Sequence, residues 1–597
     1  MATYKAPVQE VLFLLNHVFP IANYGNLGAF AEVTPDLASA VFEEAAKVAE
    51  EILAPLNRIG DRQGCRFDPD GTVTTPEGFA KAYQDFAEGG WIGLAADPEY
   101  GGQGLPYTFA SVINEFASSA NMAFAMYPGL TQGAIAALVQ HGSPEQKKTY
   151  LPPMVAGTWA GTMNLTEPHC GTDLGLIRTK AAANGDGTYA ITGTKIFISS
   201  GEHDLAANIV HLVLARIEGA PAGTKGLSLF IVPKFLPGED GSLGARNGLV
   251  CGSIEEKMGI HGNATCVMNY EGATGFLIGE ENRGLQAMFT MMNEARLGVG
   301  IQGLALSEAA YQHAAAYARE RLQGRALTGP AFPDKPADPI IVHPDVRRTL
   351  LTIKAFNQAA RALIIWTSLK ADVARQATDP AQKQAAEDHL GLLTPVIKGV
   401  LTDIGFDNTV RAQQVFGGHG YIAETGAEQF VRDARIAMLY EGANGIQALD
   451  LVGRKLPRDA GRAMLAFIGE VTGFVNENAD NQALAPFLDS MRSSLGHLQD
   501  ASMWFMRNAI GKPDHAGAGA TDYMHLFGLV ALGYMSLRIA KAAAERKTAE
   551  PAEAAVMDAK LVAARFFMER LLPETATRLA RVTAGADAVM ALPADMF

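Results

Sequence analysis

Two switches of hydrophobic period decide what this chain can fold into. Up to about residue 158, segments such as VTPDLASAVFEEAAKVAEEIL place apolar residues three and four apart, as one buried helix face requires. Thr34, Pro35 and Asp36 read as a helix start, and PEYGGQGLP as a turn-rich loop. From about Gly161 to Gly279 the period changes. TYAITGTKIFIS, NIVHLVLARI, KGLSLFIVPK and TCVMNY are short, rich in β-branched or apolar residues, and separated by glycines and polar turns, which predicts strands. From about Glu281 the helical spacing returns, with Leu350, Ile353, Phe356, Ala360 and Leu363 on one stripe and Leu561, Ala564, Met568 and Leu571 on another. A chain of 597 residues is too long for one core. The expected fold is α+β and multidomain. A helical domain over 1–158 precedes a middle antiparallel β domain over 159–280. A helical bundle over 281–455 follows, and then an extra helical domain over 456–597. Within the last, the Ala/Gly stretch His515–Ala520 reads as a loop.

Charge and cysteine usage narrow the function classes. The formal net charge of -14 argues against nucleic acid as the main partner, though it permits a local basic pocket for a phosphorylated ligand. Cys65, Cys170, Cys251 and Cys266 form no CxxC pair and have no histidine at metal-ligand spacing. Neither a disulfide framework nor a metal site is expected, and a reducing, cytoplasmic compartment fits best. Glu10 interrupts the apolar start, so it does not read as a secretion signal. No segment reads as a membrane span. Pro128 and Gly129 break the uncharged stretch from Phe116 to Pro144, and the apolar stretch Tyr523–Leu537 is short and contains His525.

Four segments carry potential chemistry. In MNLTEPHCGTD, Met163 to Asp173, Thr166 offers a hydroxyl, Pro168 stiffens the turn, and Gly171 and Thr172 leave amides open. Such a loop can bind a flat heteroaromatic ring or a phosphate, or can be an ordinary turn. In GTKIFISSG, a strand puts Phe197 and Ser199 on one face, where one packs on a ring and the other donates a hydrogen bond; an ordinary half-buried strand has the same pattern. In QQVFGGHGY, paired glycines allow close backbone approach or simply cap a helix. In RDARIAMLYEGANGIQALDLVGRKL, Glu441 stands before Gly442 at a helix mouth, as a solvated helix-start carboxylate or as a general base aimed by a sharp turn.

Together these segments resemble the acyl-CoA dehydrogenase family. The resemblance covers about residues 30 to 455 and runs in order through YGGQGLP, TEP-x-x-GTD, GTKIFISSG, KMGIHG, GEENRGL, FGGHGY and YEG. It implies an FAD enzyme that oxidises the bond between the α and β carbons of an acyl-CoA thioester to a trans-2-enoyl-CoA. An electron-transfer flavoprotein would receive the electrons. Met163, Leu165, Thr166, Gly171 and Thr172 would line the FAD site, with Phe197 where many members have Trp and Ser199 where many have Thr. Arg321 would contact the pyrophosphate, and Gln414, Gly417 and Gly418 would lie near the adenosine end, both toward a neighbouring subunit. Glu441 would be the catalytic base. Tyr440, Gly442 and Arg296 would border the acyl-CoA, and Ala443 would touch FAD through its backbone.

The chain departs from the family pattern in two places. RLQGRAL replaces the usual R-x-Q-F-G after Arg321, so an aromatic contact is missing or displaced, and YEGAN replaces YEGT. The two ends, up to Phe19 and from Ala584 onward, resemble an extended bacterial branch of the family. That branch is about as long as this chain and includes 3-methylmercaptopropionyl-CoA dehydrogenases and several long- or broad-chain enzymes. The extra domain makes a homodimer the expected assembly. An acyl-CoA oxidase shares the fold and the base. A DNA-associated flavoprotein of the same fold would need a basic extra domain, but residues 456–597 hold 14 Lys+Arg against 16 Asp+Glu.

Overall fold

The structure, a computed structural model, describes residues 4–238, 241–509 and 511–597. Two compact units are present: Ala45–Gly298, and the residues up to Glu44 together with Val299–Phe597.

In the first unit, helix α1 (Tyr107–His141) leads into the β domain. Its seven-stranded sheet comprises β1 (Trp159–Asn164), β2 (Lys180–Ala183), β3 (Tyr189–Ser199), β4 (Asn208–Ile217), β5 (Leu227–Pro233), β6 (Leu249–Ile254) and β7 (Thr265–Ile278). The order is β6-β7-β3-β2-β4-β1, and β5 pairs with both β4 and β7. β7 is 14 residues long, so one end pairs with β3 while Phe276–Ile278 pair with β5, which closes a ring. All pairings are antiparallel except β4 with β1 and β4 with β2. Parallel neighbours need long crossovers, and the stretch between β1 and β4 supplies one that carries β2 and β3. Inside the ring lie Ile191, Ile198, Val213, Phe230 and Tyr270, each fully or nearly fully buried and contributing about 1.5–3 kcal/mol if aliphatic or Phe.

Helix α1 does not break at Pro128. Its one non-helical residue is Asn121 (φ -160°, ψ 91°), whose Oδ1 accepts from the Phe124 N–H at 3.1 Å and so caps a second helix that runs through Pro128. Protein encloses 72% of its most apolar window. That burial explains so apolar a helix without invoking lipid.

The second unit is helical. From Val299 it contains the rest of α2 (Gly284–Glu320), then α3 (Pro344–Gln376), α4 (Pro380–Val415), α5 (Asn444–Asp450), α6 (Ala485–Asn508), α7 (Pro513–Ala549), α8 (Ala554–Phe566) and α9 (Glu574–Thr583). Helix α7 is central and packs on α3, α4 and α5 as well as on its own domain's α6, α8 and α9. It includes His515–Ala520, which the sequence suggests as a loop. Gly519 is buried against the Phe505 ring, where a Cβ would come within 3.1 Å, so packing overrides the weak helix propensity of glycine. The most apolar window of α7 is 89% enclosed by protein. Helices α2 and α4 touch backbone to backbone at Gly303 and Gly405, where a Cβ would meet Leu401 O at 2.4 Å and Gly303 O at 2.3 Å.

The start of the chain belongs to this unit. Lys560 pairs with Glu10 and lies 4.3 Å from the Phe13 ring centroid. Arg538 donates to Val18 O at 3.0 Å and sits 4.4 Å from the Phe19 ring centroid. Segments at opposite ends of the sequence thus form one hydrophobic and ionic seam.

Candidate active site

The first unit carries the TEP and GTK segments side by side. β1 ends at Asn164, and the loop beyond it is stitched to β3 by the Ile196 N–H, which donates to Thr166 O at 2.9 Å. Glu167 and Cys170 exchange backbone hydrogen bonds at 2.8 and 3.0 Å, closing a tight turn over Pro168 and His169. The Glu167 carboxylate is buried and accepts from the Arg178 and Thr179 N–H groups, the Thr179 hydroxyl and Lys195 Nζ. Lys195, which is 0% exposed, also donates to Leu165 O at 2.9 Å. Burial pushes the Lys195 ammonium down to about 8 against the pull of Glu167. Burial by itself would raise the Glu167 carboxyl, but the facing ammonium and its hydrogen bonds prevail and hold it below the usual carboxylate value.

This ion pair gives the Glu of TEP and the Lys of GTK a physical reason that the sequence reading missed: they lock loop to strand. Glu167, His169 and Cys170 also bring three potential metal-ligand atoms within 4.8 Å of one another, but Lys195 and Thr179 already occupy the carboxylate.

Above the lock, β3 bulges. Lys195 pairs with Met268 and Ile198 with Cys266, so Ile196 and Phe197 both face Val267. Phe197 takes φ +57° and is 60% exposed. A bulky side chain in the left-handed region is strained by about 1–3 kcal/mol, and such outliers cluster at functional sites. Half-buried Met163, Leu165, Thr166 and Ser199 lie on the two stitched segments, while Gly171 and Thr172 are exposed. An exposed aromatic ring, an apolar ledge with two hydroxyls and an open Gly–Thr turn fit a flat heteroaromatic group with a phosphate tail. Arg296 is half-buried, 5.9 Å from the Phe289 ring centroid.

The second unit carries Glu441. A 3-10 turn, Ile436–Met438, ends just before it, and α5 begins just after Ala443. Glu441 (φ +58°) and Gly442 (φ +86°) are consecutive left-handed residues. Only Gly adopts this without cost, so the carboxylate is held in a turn that an ordinary helix start does not need. The surroundings hold it. Buried Lys398 donates to Gly442 O at 2.8 Å and to Asn444 Oδ1 at 2.7 Å. Gln447 Nε2 donates to Glu441 O and Gly442 O at 3.2 and 3.1 Å. The Asn444 amide donates to Gly399 O, Thr402 Oγ1 and Asp403 Oδ1. Tyr440 donates to Gln302, and burial, helped by the neighbouring Glu441 charge, pushes its hydroxyl well above the usual tyrosine value. Ala443 O accepts the Ile446 and Gln447 N–H groups, and Gly445 is exposed.

Ala443 stands where YEGT has its Thr, and the next residue, Asn444, reaches α4 through its amide. Lys398 was also missed. Its signal was a lone cation inside the apolar run LLTPVIKGVL, which a buried role accounts for.

Arg321 and the Gln414–Gly418 loop share a neighbourhood in this unit. Tyr317, one turn before Arg321, stacks on Phe416 with centroids 4.4 Å apart and lies 3.0 Å from His419 Nδ1. Arg321, Gln414, Gly417 and Gly418 are all exposed. After Arg321 the chain folds around buried Asp338, which accepts from the Ala326, Ala331 and Phe332 N–H groups and from Arg325. These bonds, led by that from Ala326, hold its carboxyl down to about 2. Phe332 is thereby presented at the surface of this loop, with Lys335 Nζ 4.9 Å from its ring centroid.

Comparison with known proteins covers nearly the whole chain. Models of the acyl-CoA dehydrogenase N-terminal, middle and C-terminal domains match residues 35–158, 162–273 and 282–456, and an acetyl-CoA dehydrogenase C-terminal-like model matches 467–593. The chain is 42% identical to a 3-methylmercaptopropionyl-CoA dehydrogenase of Ruegeria pomeroyi, covering 98% of this chain and 99% of that one. It is 35% identical to a broad-specificity linear acyl-CoA dehydrogenase of Mycobacterium tuberculosis, covering 96% of both. An acyl-CoA dehydrogenase from Bacillus anthracis, solved with FAD, has the same fold: TM-score 0.75 at 21% identity, over 99% of this chain and 93% of that one.

Proposed function

Because the chain belongs to the acyl-CoA dehydrogenase family of oxidoreductases, whose cofactor is FAD, we propose that it desaturates a short acyl-CoA, with 3-methylthiopropionyl-CoA as the leading substrate and Glu441 as the base. The observation that carries the assignment of the base is the left-handed Glu441–Gly442 turn, gripped by Lys398, Asn444 and Gln447. A thioester carbonyl acidifies its α hydrogen, but not enough for a carboxylate in water. The Glu441 backbone N–H is assigned to that carbonyl, where a donor stabilises the developing enolate. The Glu441 carboxylate takes the α proton, and exclusion of water by the bound thioester strengthens it as a base.

Bound FAD supplies the acceptor for the hydride from the β carbon. Met163, Leu165, Thr166, Phe197 and Ser199 would hold its ring system, and Gly171 and Thr172 its phosphates. Arg296 is assigned to the CoA moiety. An electron-transfer flavoprotein is the proposed acceptor of the electrons. The exposure of Arg321, Gln414, Gly417 and Gly418 supports a homodimer in which each chain contributes to its partner's cofactor.

The test is anaerobic mixing of the FAD-loaded enzyme with a panel of acyl-CoAs. Flavin bleaching fastest with 3-methylthiopropionyl-CoA or butyryl-CoA supports the reading, and a strong preference for chains of about twelve carbons or more overturns the substrate assignment. Hydrogen peroxide released in air at the turnover rate would instead mark an oxidase.

A further inference from the structure

The appended C-terminal domain reaches the turn that holds Glu441. Helix α7 crosses α4 at two small residues. A Cβ on Gly399 would meet the Met524 sulfur at 2.4 Å, and one on Gly528 would meet Val400 at 2.6 Å. This close crossing puts His525 beside Asp403, with Nε2 2.8 Å from Oδ2. The other Asp403 oxygen accepts from the Asn444 amide at 2.6 Å. Asn444 in turn shares Lys398 with Gly442 O. A continuous polar chain therefore runs from His525 through Asp403 and Asn444 to the backbone beside Glu441. Its members are half-buried or buried: His525 and Asn444 are each 9% exposed and Lys398 0%. No other part of the proposed mechanism uses His525 or Asp403.

We propose that His525 is a positioning residue: it orients Asp403, which fixes Asn444 and, with Lys398, the left-handed backbone at Glu441–Gly442. The inference rests on the assignment of Glu441 as the base and extends it to the role of the extra domain. Asp403 divides its oxygens, Oδ1 toward the Asn444 amide and Oδ2 toward His525 Nε2. A donor on the far oxygen selects that orientation. The device matters because the strained turn has two consecutive left-handed residues and relaxes if its grip loosens. A small displacement of a reacting group is enough to slow chemistry markedly.

Two substitutions separate hydrogen bonding from packing. His525→Phe keeps a planar ring and removes the N–H. His525→Gln loses the ring but can place an amide N–H near the former Nε2. Both are prepared as FAD-loaded enzyme, and each is followed by anaerobic flavin bleaching and by backbone hydrogen exchange of peptides covering 440–447. The expected result for His525→Phe is bleaching slowed roughly 10- to 100-fold, with FAD content and acyl-CoA affinity kept and the 440–447 amides exchanging faster. His525→Gln restores both readouts to within about twofold of wild type. Wild-type bleaching and exchange in His525→Phe, or equal slowing in both variants, overturns the proposal. Should His525→Phe fail to yield holoenzyme, His525→Gln decides: slowing of about tenfold with intact binding refutes it. Glu441→Gln in parallel keeps the two ideas apart. If it bleaches at the wild-type rate, the base assignment fails; if it is inert while His525→Phe is normal, only the present inference fails.

Discussion

The β-domain loop at Glu167 and the helical turn at Glu441 solve one problem in different ways. Each lies beside a non-glycine residue in the left-handed region, Phe197 or Glu441, and each is braced by a buried lysine. At the first, Lys195 faces a carboxylate, and both partners lie inside the recognisable motifs. At the second, Lys398 faces a backbone carbonyl and an amide, and its support extends through Asp403 to His525 on another domain. A lock made within neighbouring motifs is self-contained. One assembled from distant helices makes the geometry at Glu441 depend on how those helices pack.

The largest expected effect is at Glu441 itself. Glu441→Gln keeps the shape of the side chain but cannot accept the α proton. The bleaching rate should fall by about 10²–10⁴ or more, with FAD and acyl-CoA binding retained. Anaerobic stopped-flow spectroscopy reads this directly, and wild-type bleaching would return Glu441 to an ordinary solvated helix-start carboxylate.

The two lysines should then separate by size of effect. Lys195→Met leaves the buried Glu167 charge uncompensated, at about 3–5 kcal/mol, and should lower the FAD content of the purified protein. Lys398→Met strands only the neutral Asn444 amide oxygen, since Gln447 still donates to Gly442 O; it should cost about 1–3 kcal/mol and slow bleaching while sparing FAD content. Denaturant unfolding together with flavin absorbance checks both, and equal stability losses would erase the distinction.

Acid should act on the first lock. The folded value of Glu167 lies below its ordinary 4.5, so its contribution to stability is complete above pH 4.5 and is lost as pH falls through the folded value. The Lys195→Met variant should show a shallower loss over that window. Parallel slopes for the variant and the wild type would mean that Glu167 is not ionically held.

The smallest effect is the strain at Phe197. Phe197→Gly relieves the left-handed conformation and gives up little burial, since the ring is 60% exposed. The FAD-free protein should gain about 1 kcal/mol while FAD affinity falls. A stability loss without a change in FAD affinity would mean that the ring serves the fold rather than the cofactor.

What the sequence determined by itself was the order of helical, β and helical segments and the residues of the motif loops. Both are written locally: period follows backbone geometry, and TEP, GTK and YEG are short runs of neighbouring residues. Tertiary structure alone decided the rest. The two parallel pairings of β4 depend on where a crossover lands. The residues up to Glu44 join the C-terminal helices because Glu10, Phe13 and Phe19 meet Lys560 and Arg538. The bulge at Phe197 reflects pairing with β7, which no stretch of β3 can announce. Helices α1 and α7 run on through Pro128 and His515–Ala520 because burial outweighs local propensity. Lys398, Asp403 and His525 left only the faint trace of polar residues in apolar runs. Their partners lie far along the chain, and the fold alone brings them together.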